Sequence, residues 1–276
     1  MAGNTAEHKR FSPLGQGTWY MGDSQANRQE EIRALQTGID LGMTLIDTAE
    51  MYGKGRAEEL VGEALEGRRD KVFLIGKVLP SNADREGTKR ACEQSLQRLR
   101  TDVIDLYMLH WQGDYPFEET IAGMMDLIKE GKILSWGVSN MDVEEMEEIF
   151  ALEQGKTCAA NEVLYNLSRR GVEFDLLPWC EHHGIPVIAY SPVEQGRILS
   201  NKTLSLVADR HRATPAQIAL AWILKRPGVV AIPKSGSVAH VQENARSLKI
   251  KLTAEDMVML DNTFPAPKRK ILLEVL

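Results

Sequence analysis

One alternation runs through this chain and limits what it can fold into. A short apolar run closes on a single polar or ionisable residue, and a stretch with helical spacing follows. Thr44-Leu45-Ile46-Asp47 leads into Thr48-Ala49-Glu50-Met51-Tyr52-Gly53, Val72-Phe73-Leu74-Ile75-Gly76 ends on Lys77, and Asp105-Leu106-Tyr107-Met108-Leu109 ends on His110. Runs that are apolar throughout, rather than at every second position, read as strands buried on both faces. Between them, 27–41 sets Ile32, Ala34, Leu35 and Ile39 on one helical face and stops near Gly42. Likewise 57–65 turns Leu60, Val61, Ala64 and Leu65 inward before Gly67, and 84–99 does so through Ala91, Cys92, Leu96 and Leu99.

The rest of the chain keeps the pattern. Helices are predicted over 117–130, 143–152 and 174–183, and strands over 133–138, 158–163, 186–190 and 229–232. An extra short helix is expected over 204–212. Thr214-Pro215 opens another as N-cap and first helical residue, and Ser237 caps one through 248. A turn or hairpin over 11–18 ends in a first strand at Gly17-Thr18, where glycine lets backbone approach a ligand closely.

Strands alternating with helices pair in parallel through right-handed crossovers. Eight such units in about 250 residues predict an α/β protein with a closed (β/α)8 TIM barrel. The expected domain is single, spanning residues 1–276, with a short N-terminal hairpin and extra helices near the C-terminus; an apolar fraction of 43% is ample for that core. In such barrels the functional groups gather at the C-terminal ends of the strands. Thr18, Asp47, Lys77, His110, Ser139-Asn140, Glu162, Tyr190 and Lys234 fall at those ends one after another.

The net charge of −6 argues against nucleic acid or an anionic membrane as partner, so a phosphate-bearing ligand would need a local basic site. Cys92, Cys158 and Cys180 are widely spaced with no C-x-x-C pair, which points to neither a disulfide framework nor a zinc site, and no metal is expected. The first ten residues are polar and no run of about 18 apolar residues occurs, so the expected setting is a reducing cytoplasm.

Asp47, Tyr52, Lys77 and His110, with Gly137-Val138-Ser139-Asn140, Tyr190-Ser191-Pro192 and Ile232-Pro233-Lys234-Ser235, resemble the signature set of the aldo-keto reductases. The similarity runs from Gly15 to about Asn244, and segments 45–53 and 161–166 look closest to the bacterial branch that includes methylglyoxal reductases.

Hydride transfer to a carbonyl puts negative charge on its oxygen, so the site needs a proton donor and fixed dipoles there. Tyr52 is the expected general acid. A phenol, with a pKa of about 10, needs a nearby cation to give up its proton near neutrality. Lys77 would supply that cation and Asp47 would keep it charged. His110 either donates a hydrogen bond to the carbonyl or shares the proton with Tyr52. No side chain supplies a hydride, and no G-x-G-x-x-G fingerprint opens a βαβ unit.

The resemblance implies instead an extended nicotinamide nucleotide across the barrel mouth, passing Gly17, Thr18, Trp19 and Asp47. Ser139, Asn140 and Glu162 would hold the carboxamide and Tyr190 would stack on the nicotinamide. Residues 191–196, with Ser191, Pro192, Val193 and Gly196 as the expected contacts, would pass near the pyrophosphate. Lys234, Ser235, Gly236 and Ser237, beside a helix N-terminus, form a phosphate site that the helix dipole favours. Glu243 and Asn244 match adenine-contacting residues.

Two positions depart from many NADPH-using relatives, His240 in place of arginine and Glu162 in place of glutamine. Losing the arginine removes a permanently charged, bidentate clamp. Lys234 favours NADPH, with NADH use open. Trp19, Tyr52, His110 and Trp111 are the expected substrate contacts, with Met51 and the tail after Thr263 tuning selectivity.

Bland readings stand beside these. Asp47 and Lys77 taken alone fit a structural ion pair. Trp19 and Tyr190 fit packing aromatics, Trp111 a pocket wall or a loop anchor, and His182-His183 a solvated helix end. His8 and His211 read as surface residues. A metal-dependent hydrolase would want an H-x-H pair, which is missing. A cofactor-sensing subunit on the same fold is the other rival. The expectation is an NADPH-preferring reductase of small aldehydes or α-ketoaldehydes, methylglyoxal among them, working as a monomer or weak homo-oligomer.

Overall fold

The computed structural model describes residues 12–276, so His8 and the whole polar stretch of the first ten residues lie outside the described residues. Eight strands follow in chain order: β1 (Gln16–Gly17), β2 (Leu45–Asp47), β3 (Phe73–Val78), β4 (Ile104–Leu109), β5 (Ile133–Ser139), β6 (Asn161–Leu164), β7 (Val187–Tyr190) and β8 (Val229–Ala231). Each pairs in parallel with the next. The helices between them are α1 (Arg28–Asp40), α2 (Arg56–Ala64), α3 (Arg85–Leu99), α4 (Phe117–Lys129), α5 (Val143–Ala151) and α6 (Leu176–His183). Next come α7 (Lys202–His211) and α8 (Pro215–Ile223), then α9 (Val238–Arg246) and α10 (Ala254–Thr263) after β8.

The circle closes between β8 and the residues entering β1. Gly15 N–H donates to Ala231 O at 2.8 Å, Ala231 N–H donates to Pro13 O at 3.0 Å, and Gly17 bridges Lys234 in parallel. The seam is tight: a Cβ on Gly17 would meet the Ile232 carbonyl oxygen at 2.9 Å. The hairpin expected over 11–18 falls partly outside the described residues. From Ser12 onward the chain runs parallel to β8.

Two apolar layers explain why the strands read as continuous runs. In β4, Leu106 and Met108 point into the barrel with Leu45, Ile75, Ile188 and Val230, while Tyr107 and Leu109 face the helices. The helix starts follow capping chemistry. Asp84 accepts the Gly87 N–H, Asp142 and Glu145 form a capping box, and Thr214 with Gln217 forms another around Pro215.

Three details differ from expectation. Strand β6 runs Asn161–Leu164 rather than 158–163, although Ala159 N–H already donates to Trp136 O and Ala160 O accepts the Val138 N–H. Ser237 is the N-cap residue of α9, but its hydroxyl caps nothing; Glu30 Oε1 accepts the Val238 N–H at 3.3 Å instead. α10 was not anticipated as a segment. Of its residues only Asp256 and Leu260 are buried, so periodicity showed little, and the Thr253–Asp256 capping box was the legible signal.

Among the described residues no helix is long and apolar enough to cross a membrane. Cys92, Cys158 and Cys180 are free and buried, and burial pushes each thiol up to about 12.

Candidate active site

At the C-terminal end of the barrel, β3 delivers Lys77 with its ammonium fully enclosed. It donates to Asp47 Oδ1 at the end of β2, lies 3.2 Å from the Tyr52 hydroxyl, and stands 3.3 Å from Glu162 Oε1 on β6. Tyr52 reaches this point because the chain folds back directly after β2. Tyr52 N–H donates to Ala49 O at 3.1 Å, and Gly53, Lys54 and Gly55 all take left-handed φ values. Glycine supplies two of those three conformations without steric cost.

One ammonium therefore faces two carboxyls. Burial raises both Asp47 and Glu162, Glu162 to about 8, while Lys77 pulls each of them down. Near neutrality this carboxyl pair holds a proton. Burial also opposes the charge on Lys77, but Asp47 and Glu162 outweigh it and keep the ammonium charged well above the usual lysine range. Tyr52 departs from expectation. Burial drives its phenol upward, Lys77 pulls it down, and Asp47 and Glu162 add to the rise, so the net direction is up. The negative partners of Lys77 are what the cation-only argument left out.

His110 is pushed down to about 2, by burial and then by Lys77, so its imidazole is neutral. Its ring meets Tyr52 edge-on at 5.7 Å between centroids, and Nδ1 has no protein partner.

Above this cluster opens a cavity of about 590 Å³. Asp47, Tyr52, His110, Ser139, Asn140 and Glu162 line it, as does Trp111. Asn140, at a left-handed φ of 60°, donates from Nδ2 to His110 O and Ser139 Oγ and accepts the Tyr190 hydroxyl at 2.9 Å. That bond fixes the Tyr190 ring against the cavity. Glu162 Oε2 is buried with no partner in the protein. Gly17 and Trp19 form another wall, and Ser191, Pro192, Val193 and Gly196 a third. Lys234 and His240 line this cavity and also a second one of about 380 Å³, which Ser235, Gly236 and Ser237 complete.

Not every predicted residue arrives. Thr18 is buried and donates its hydroxyl to Asp47 O at 2.9 Å. Glu243 accepts the Thr214 hydroxyl, and Asn244 is buried in α9; neither lines a cavity. The sequence reading missed Tyr20 and Ile232 in the larger cavity, whereas Gln195 lies within the 191–196 loop expected near the pyrophosphate. Tyr20 stacks on Trp19 at 4.5 Å, and an aromatic pair beside a Gly-Thr strand end was a usable signal. Leu276 belongs to the tail after Thr263 that was expected to tune selectivity, and it lines the cavity. Glu30 and Glu31, which wall the smaller cavity, were also missed. Among the described residues no cluster of three or more His, Cys, Asp or Glu side chains is placed to hold a metal ion.

A (β/α)8 barrel with a mixed apolar and ionisable cavity at its strand C-termini has the architecture of a barrel enzyme. The chain matches the aldo/keto reductase family over residues 13–263. It is 52% identical over 267 residues to the methylglyoxal reductase YeaE of Escherichia coli, covering 95% of this chain and 94% of that one. It is 35% identical over 238 residues to the glyoxal reductase of Bacillus subtilis, covering 85% and 84%. A crystal structure of an aldo/keto reductase from Klebsiella pneumoniae in complex with NADP and acetate aligns with a TM-score of 0.95 at 48% identity, covering 96% of each chain. The protein belongs to the aldo/keto reductase family and is an oxidoreductase.

Proposed function

We propose that this protein uses NADPH to reduce the carbonyl of small aldehydes or α-ketoaldehydes, methylglyoxal being the leading candidate. One observation carries the reading: the Tyr52 hydroxyl, the enclosed Lys77 ammonium and a neutral His110 meet at a cavity that Lys234 also lines, together with a second cavity beside the N-terminus of α9. The cavity fits a nicotinamide dinucleotide. Ser139, Asn140 and the unpartnered Glu162 Oε2 offer acceptors for a carboxamide, beside the Tyr190 ring. Lys234, Ser235 and Ser237 stand at the N-terminus of α9, where phosphate is favoured. The names of the similar enzymes from E. coli and B. subtilis, and the NADP held by the Klebsiella protein, support the same reading.

When bound, the nucleotide supplies the hydride. The chain's own residues handle the proton. Tyr52, held protonated by burial, passes the proton from its hydroxyl to the carbonyl oxygen. Lys77, already charged, stabilises the phenolate that forms, and Asp47 holds that ammonium in place. The neutral His110 donates an N–H toward the oxygen. Relay through an imidazolium is disfavoured because the ring does not charge near neutrality. Trp19, Tyr20, Met51, Trp111 and Leu276 give the cavity apolar walls suited to a small carbonyl compound.

The test follows reduced-nicotinamide absorbance across a panel of aldehydes, with NADPH and NADH, for the parent and Tyr52→Phe. The parent should turn over small aldehydes, and the variant should bind cofactor yet react slower by a factor on the order of 10² or more. Cofactor binding by both with turnover by neither would replace this reading with the sensor one.

A further inference from the structure

The turn after β6 presents a side chain that the proton chemistry above does not use. Asn166 Oδ1 accepts the N–H groups of Ser168 and Arg169, and Asn166 and Arg169 exchange backbone hydrogen bonds, so the base of Arg169 is fixed. Its guanidinium reaches two segments at once. Nε and Nη2 donate to Glu194 Oε1 at 3.1 and 3.0 Å, and Nη1 donates to Glu274 Oε1 at 2.5 Å.

Neither carboxylate lines the larger cavity, but both segments contribute to its wall. The loop after β7 contributes Ser191, Val193, Gln195 and Gly196, and the tail contributes Leu276. Ser191, Glu194 and Gln195 hold left-handed φ values of 46, 50 and 54°, a conformation that non-glycine residues keep only when the surroundings impose it. The imposing contacts are those on Glu194. Its buried carboxylate also accepts Arg197 Nη2 at 2.8 Å and Asn166 Nδ2 at 2.8 Å, and the same Asn166 amide donates to Ser191 O. Arg169 itself lines neither cavity.

We propose that Arg169 is a positioning residue whose single guanidinium ties the loop after β7 and the tail into one clamp over the cavity. It sets how long the nucleotide stays and how readily a carbonyl compound settles beneath Leu276. This rests on the nicotinamide reading of the cavity.

The experiment measures NADPH release by stopped flow, NADPH affinity by fluorescence titration, and KM and kcat with methylglyoxal, on the full chain. Arg169→Met should release NADPH faster by on the order of 10-fold, the scale of a lost charge-assisted hydrogen bond, and should raise KM while kcat holds or increases. Glu274→Gln cuts only the tail arm, so it should raise KM and leave NADPH release within about 2-fold of the parent. Arg169→Lys, which keeps the charge but cannot fork between two carboxylates, should fall between parent and Arg169→Met. Where Arg169→Met fails to fold, the lysine variant takes its place. NADPH release and KM both within about 2-fold of the parent in the Arg169 variant, whatever its melting temperature, overturn the proposal. A parent that binds no NADPH removes the cofactor reading itself, and this clamp with it.

Discussion

Glu162 lies 3.3 Å from an ammonium that Asp47 already engages, and it titrates at about 8 rather than in the ordinary carboxylate range. The native state therefore binds a proton that the unfolded chain releases between the model value of 4.5 and about 8, so this residue's contribution to stability is lost as pH rises through that window. Glu162→Gln keeps the shape without the titration. Its melting temperature relative to the parent should rise between pH 5 and about 8 and level off above that, and a difference independent of pH would show that Glu162 carries its charge throughout. The four residues Asp47, Tyr52, Lys77 and His110 were legible at this scale because each closes or directly follows an apolar run, and a parallel barrel turns that chain position into spatial proximity. The direction of the Tyr52 shift was not, since it depends first on the burial of the phenol and then on the carboxyls beside Lys77, neither of which spacing encodes.

At the level of elements, the N-terminus of α9 shows how an expected site gains an unexpected neighbour. Ser237 does not cap it; Glu30 from α1 takes the Val238 N–H and pairs with Arg33 at 2.7 Å. A carboxylate thus stands where the proposed cofactor would place a phosphate, beside His240 rather than an arginine. Glu30→Gln keeps an acceptor for Val238 and removes the negative charge. It should tighten NADPH relative to NADH by several-fold at low salt, an effect that shrinks as salt is added. Titration with both nucleotides reads the outcome, and unchanged or weaker NADPH preference would remove Glu30 from the discrimination. Helix existence was readable from apolar spacing almost everywhere. Contacts between helices distant in sequence, such as α1 with α9, were not, because each was judged from its own pattern.

For the molecule as a whole, the barrel was legible because seven apolar runs and the Gly15-Gln16-Gly17-Thr18 segment before them, separated by helical stretches, leave few other ways to bury the strands on both faces. What closes the barrel was less visible: the seam depends on residues at opposite ends of the pattern and on glycine where two backbones meet. Gly17→Ala places a methyl group 2.9 Å from the Ile232 carbonyl oxygen. The seam must open to admit it, at a cost on the order of 1–3 kcal/mol. The melting temperature should fall by roughly 2–10 °C, and turnover should fall with it because Gly17 also lines the larger cavity. An unchanged melting temperature would mean that closure tolerates slack there.

The three thiols carry a different consequence. Cys92, Cys158 and Cys180 are all packed away and pushed up to about 12, so essentially no thiolate is exposed at physiological pH. The dicarbonyl compounds proposed as its substrates are electrophiles, and they would meet this protein without finding a thiol as target, so its working lifetime among them would be set by other side chains.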